Sequence, residues 1–258
     1  MRPSLNARLS RTVRRVLRAA LSFLVVVLVA VGYVLLDEWE RNDSGSTPEV
    51  VAGDLADQLA RLQVAAEASM DGYSRDRFPH WDTNRPEHGF GPEFAAYARC
   101  TTRDVMMLRD ASGSVRLDPK TCRLTVGRGG GWLDRYGVLD RDTGALREYR
   151  WTTDPSAVDA EHIVPLAEAW RSGARALDQV ARRAIANDAQ NLMASDPSAN
   201  RSKGDQDAAD YLPPGGFRCG YVDSYIRIKV KYGLTVDTAE RAALRTAVGE
   251  CGQRGEIA

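Results

Sequence analysis

Residues 159–166 read DAEHIVPL and residues 187–205 read NDAQNLMASDPSANRSKGD. Val158, Ile163 and Val164 favour extended backbone, while Pro165 is barred from a helix interior and welcome in a first turn. The spacing therefore predicts a strand through His162 and a helix from about Pro165 to Arg171, stopped by Gly173. Leu177 to Ile185 reads as a second helix, broken at Asn187 and Asp188. Asn191–Ala194 reads as a short extended piece, and Pro197–Lys203 as helical turns ending at Gly204. The order is strand, strand, helix, and it returns Asn200 to the neighbourhood of His162. A carboxylate and an amide can hold a hard cation through oxygen, and an adjacent imidazole can take a proton from water. That chemistry suits cleavage of a phosphodiester.

The string D-x-E-H-I-V-P-L, then N-L, then N-R-S-K-G-D resembles the HNH (ββα-metal) endonucleases. It is closest to the secreted branch of small bacterial and fungal members, over about Tyr73 to Cys251. The resemblance implies an α+β fold with a ββα-metal core and added helices. It implies endonucleolytic hydrolysis of DNA, and of RNA as a further substrate, supported by Mg²⁺, with Mn²⁺ or another divalent cation as substitute. His162 matches the general base, and Glu161 and Asn200 match the metal ligands. Asn191 matches an asparagine that ties the loop together, Lys203 a phosphate contact, and Asp159 and Asp205 supporting residues. The string from Thr102 to Asp104 resembles another family segment, in which Arg103 contacts a phosphate or braces the loop. Glu161 stands where many members carry Asp, which leaves the metal position open. Asn200 stands where many members have a late histidine. The carboxylate, imidazole and amide are expected to converge on one open point. The reading from another class is a non-catalytic, disulfide-stapled surface module that binds nucleic acid or a protein.

The chain has 258 residues, of which 43% are hydrophobic and 27% charged, an ordinary globular composition. Arg2, Arg8, Arg11, Arg14, Arg15 and Arg18 are the charged residues of positions 1–36, which leaves 29 basic against 35 acidic side chains in 37–258. That net of −6 excludes a broad basic surface, so contact with nucleic acid needs a local patch and a cation. No protein partner follows from the sequence. The run 19–36, AALSFLVVVLVAVGYVLL, is uncharged. As a helix of about 1.5 Å per residue it would span about 27 Å, near a bilayer core. With the basic segment 1–18 before it and a polar linker at 37–49 after it, it reads as a signal anchor. Residues 50–258 would then be the extracytoplasmic domain of a single-pass protein in a bacterial cell membrane, or a secreted protein if the segment is cleaved.

Cys100, Cys122, Cys219 and Cys251 form no C-x-x-C pair, and an even count beyond a membrane-targeting segment fits two disulfides. Three pairings exist, and the locally closed one, Cys100–Cys122 with Cys219–Cys251, is the expected one. Val50–Met70 reads as an amphipathic helix through Leu55, Leu59, Leu62 and Val64. His80 and His88, eight residues apart across Pro86, match no ligand spacing and read as surface or packing residues. Cys100–Asp110 reads as a helix capped by Thr101 or Thr102 that buries Val105, Met106 and Leu108. Gly129–Gly131 lacks the frame of a phosphate loop and reads as a turn after a strand. Leu146–Trp151 reads as another strand. Asp207–Pro214 reads as a short helix, and Cys219–Tyr232 and Thr238–Cys251 read as longer ones.

Overall fold

The computed structural model describes residues 48–140, 142–147 and 150–257. The expected basic segment 1–18, the membrane span 19–36 and nearly all of the linker lie outside these residues. Among the described residues, no helix is long and apolar enough to cross a membrane.

The helices in chain order are α1 (Pro48–Arg61), α2 (Thr102–Arg109), α3 (Leu166–Arg171), α4 (Gln179–Asn187), α5 (Pro197–Lys203), α6 (Arg218–Lys231) and α7 (Thr238–Arg254). The strands are β1 (Val115–Leu117), β2 (Leu124–Val126), β3 (Trp132–Leu133), β4 (Val138–Leu139), β5 (Leu146–Arg147), β6 (Trp151–Thr152), β7 (Asp159–His162) and β8 (Leu192–Ser195). They pair two by two and antiparallel: β1 with β2, β3 with β6, β4 with β5, and β7 with β8. The fold is a mixed α+β arrangement of helices around small ribbons.

The β7–β8 ribbon, with Glu161 opposite Met193 and His162 opposite Leu192, lies between two apolar clusters. Met193 and Ile163 join α1, α3, α6 and α7 on one side. Leu192, Ala194 and Val158 join α2, β1 and Trp132 on the other. All four residues of β8 are buried, as a strand covered on both faces requires.

Local chemistry sets the helix ends. Thr101 caps α2, its side chain accepting from Asp104 N while Asp104 bonds back to Thr101 N. Met107 is buried in that helix where Leu108 was expected. Asp196 caps α5 and Asp237 caps α7. Cys219–Cys251 ties α6 to α7, and Cys100–Cys122 ties the start of α2 to the β1–β2 ribbon, as expected.

Three sequence expectations are corrected. The Val50–Met70 helix ends at Arg61, because Ala65 N bonds to Val236 O and Val236 N to Gln63 O. That backbone pairing outcompetes another helical turn, and Val64 is left exposed. Asp207–Pro214 forms turns rather than a helix. The Asp207 carboxylate accepts from Ala209 N and Asp210 N, and Pro213 and Pro214 follow. Leu146 and Trp151 belong to two separate short strands, pairing with β4 and β3.

Candidate active site

Side chains alternate along β7, so Asp159 and Glu161 share one face and His162 takes the other. Helix α5 runs beside the carboxylate face. Asn200 and Lys203, one turn apart, meet Asp159 and Glu161 in turn. Asn200 Nδ2 donates to Asp159 Oδ2 at 3.0 Å. The Lys203 ammonium is paired with Glu161 Oε1 and donates to the His162 carbonyl at 2.9 Å. The Lys203 side chain is fully buried and that of Glu161 is 7% exposed. Burial pushes Glu161 up against the pull of Lys203, and pushes Lys203 down against the pull of Glu161.

His162 lies against the C-terminal turn of α4, where its Nε2 is 2.9 Å from the Ala186 carbonyl. A carbonyl has no proton to give, so Nε2 carries the hydrogen and Nδ1 carries the lone pair. Nδ1 has no partner among the described residues. The ring stacks on Trp81 at 5.5 Å and 6° between planes. His80 stands edge-on to it at 6.4 Å. Burial, then the Arg75 cation, push His162 from 6.5 down to about 3. The imidazole is neutral at physiological pH.

The segment from Tyr73 to Asp82 builds this wall. Arg75 is exposed on a 3₁₀ turn, and its charge also reaches Glu161, Lys203 and Tyr73. Asn187, at the end of α4, bridges the segment. Its Nδ2 donates to Pro79 O at 2.9 Å and its Oδ1 accepts from Asp82 N at 2.8 Å. Asn191 ties the backbone after β7 to the end of α4. Its Oδ1 accepts from Val164 N at 2.8 Å, and its Nδ2 donates to Ile185 O at 3.1 Å.

The other expected residues sort as follows. Arg103 Nη2 donates to Val158 O at 3.3 Å, so it braces the entry to β7. Lys203, expected to meet a phosphate, is buried and spent on Glu161 and a carbonyl. Asp205 pairs with Arg171 at 2.8 Å on the surface. The expected convergence of carboxylate, imidazole and amide on one open point is corrected: Asp159, Glu161 and Asn200 meet on the α5 side of β7, whereas His162 turns to the other side, against Ala186 and Trp81. Asp159, half-buried and bonded to Asn200, is the more accessible carboxylate. His88 packs as expected, accepting from Arg85 N. His80 also packs, half-buried against Trp81, and that packing brings it within 6.4 Å of the His162 ring. Its eight-residue spacing from His88 concealed this, whereas its place beside Trp81, before a buried asparagine clamp, is a tertiary fact.

Among the described residues, no three His, Cys, Asp or Glu side chains gather to hold a metal by themselves. The Asp159 carboxylate and the Asn200 side-chain amide, in contact and both half-buried, each carry an oxygen of the type that a hard cation takes. That fits a cation that keeps most of its water. On the other face of α5 from Asn200 and Lys203, a groove of about 480 Å³ is lined by Arg147, Arg201, Ser198, Ser202, Asp140 and Asp142.

The β7–β8 ribbon carries His162, and α5 beside it carries Asn200. Residues 134–247 match the family model of the GmrSD restriction endonucleases, C-terminal domain. An uncharacterized secreted protein of Arthroderma benhamiae (strain ATCC MYA-4681 / CBS 112371) is 35% identical over 196 residues, covering 75% of this chain and 82% of that protein. No solved structure matches. Residues 134–247 are thus a domain of the GmrSD C-terminal family, an HNH-type restriction endonuclease family.

Proposed function

We propose that the chain is an extracytoplasmic endonuclease that hydrolyses DNA, with RNA as a second substrate, and depends on a divalent cation. The observation that carries this is the contact of His162 Nε2 with the Ala186 carbonyl at 2.9 Å. With Nε2–H given to the Ala186 carbonyl, the lone pair of Nδ1 is free to take a proton from water. An imidazole held near 3 is a feeble acceptor. Burial is the larger cause of that depression, and a phosphate that pairs with Arg75 offsets only the smaller part that Arg75 contributes. Asp159 and Asn200 would hold the cation, and Glu161 would join them only by releasing Lys203. Mg²⁺, when bound, neutralises phosphate charge and supports the leaving oxygen. Arg147 and Arg201 stand in the groove along α5 with Asp140 and Asp142, so its charges balance and Arg75 is the cation nearest the imidazole.

Both disulfides and the secreted relative support an extracytoplasmic location. Anchoring through residues 19–36 belongs to the same proposal and rests on sequence alone. The test uses the full chain with disulfides formed, plasmid DNA and Mg²⁺, beside EDTA and His162→Ala. Nicking that needs both the metal and His162 is the expected result. A folded protein that leaves DNA intact with Mg²⁺, Mn²⁺ and Ca²⁺ would turn the reading to a binding module.

A further inference from the structure

His80 is a second imidazole in the site, and its placement is built rather than incidental. The Asn187 side chain fastens the backbone on both sides of the His80–Trp81 pair, at Pro79 O and Asp82 N. His80 Nδ1 lies 2.7 Å from the Phe78 carbonyl, so Nδ1 carries a hydrogen and Nε2 is the free nitrogen. The ring is half-buried, sits 4.8 Å from Trp81 and 6.4 Å from His162, and has no carboxylate bonded to it among the described residues. Two imidazoles, each anchored through one nitrogen to a carbonyl and each with the other nitrogen free, stand on one wall below the exposed Arg75. In-line displacement at phosphorus needs one proton removed from the attacking water and one delivered to the departing oxygen.

We propose that His80 is the general acid that complements His162, a reading that rests on the nuclease assignment above. The water oxygen bonds to phosphorus as its proton passes to His162 Nδ1. His80 enters as the imidazolium; the bond from phosphorus to the 3′ oxygen breaks, that oxygen takes the Nε2 proton, and His80 is left neutral with its hydrogen on Nδ1 against the Phe78 carbonyl. Solvent then reprotonates His80 and deprotonates His162.

The test compares the full chain with its His80→Gln and His162→Ala variants on two oligonucleotides in Mn²⁺. One carries an ordinary phosphodiester, and the other a 3′-bridging sulfur at the same linkage. A thiolate departs without a proton. His80→Gln is expected to cut the oxygen linkage about 100-fold more slowly, yet the sulfur linkage within about threefold of the unaltered chain. Activity on sulfur also shows that the variant is folded. Equal losses on both linkages, or no loss on either, would overturn the acid role. His162→Ala should fail on both linkages. An unaltered chain that cuts neither would overturn the nuclease assignment, and the acid role with it.

Discussion

Replacing Lys203 with Met removes the ammonium from the buried pair and keeps the approximate bulk of the side chain. The Lys203 side chain is fully enclosed and Glu161 is 7% exposed, so water cannot take over as partner. Breaking such a pair from one side costs about 3–5 kcal/mol, because a buried carboxylate is left unpaired. The His162 carbonyl also loses its donor at 2.9 Å. We expect Lys203→Met to lose about 4 kcal/mol at pH 7, read from urea unfolding followed by tryptophan fluorescence. The loss should shrink toward pH 5, since burial already pushes Glu161 up and the unpaired acid can take a proton. The double variant Glu161→Gln/Lys203→Met has no stranded charge and should recover about 2 kcal/mol or more of that loss. A single variant within about 1 kcal/mol of the unaltered chain, or a double variant as unstable as the sum of the singles, would refute the argument.

Other expectations follow from the same geometry. Asn191→Ala strands Val164 N and Ile185 O in the interior and should cost about 2–4 kcal/mol in chemical denaturation. It should slow DNA cleavage as well, since it loosens the end of β7. His162 is held at about 3 against 6.5, so only the unfolded chain takes that proton as pH falls. Stability should therefore drop between about pH 6.5 and 3, by up to about 4–5 kcal/mol, and His162→Gln should lose this acid limb in thermal melts. Glu168 is raised from 4.5 to about 7, chiefly by burial. Its contribution is present below about pH 4.5 and is lost as pH rises through 7, by about 3 kcal/mol; Glu168→Gln should remove that slope. Where the two windows overlap they oppose, so each is read as the difference between variant and unaltered chain. Reduction opens loops of 22 and 32 residues and should cost about 3–4 kcal/mol per bridge, measured as the shift in urea midpoint under dithiothreitol.

Much of the β7-to-α5 segment is legible in sequence because its signals are local. Pro165 and Gly204 sit beside the elements they bound, and the caps at Thr101 and Asp196 act within a single turn. Nearest-neighbour disulfides were likewise within reach. What stayed hidden depends on partners far along the chain. Helix α1 stops where residues near Val236 offer backbone bonds, and nothing near Leu62 announces them. The pair formed by Glu161 and Lys203 spans 42 residues, so each reads alone as a free ligand. One clue was available. Adjacent residues on a strand face opposite ways, so Glu161 and His162 could not both face α5. His80 was invisible because its role comes from Trp81 and Asn187, which sequence spacing does not connect.

The bridge that Asn187 makes to Pro79 and Asp82 bears on how this activity can be moved between proteins. The two motif stretches from Asp159 to Asp205 hold the imidazole, the amide and the carboxylates. They do not hold the ring against which the imidazole rests. A graft or a gene rearrangement that carried only those stretches would transplant the reacting groups without their backstop. The smallest heritable unit therefore begins near Tyr73, and recombination between Asp82 and Asp159 would part the imidazole from the wall that orients it.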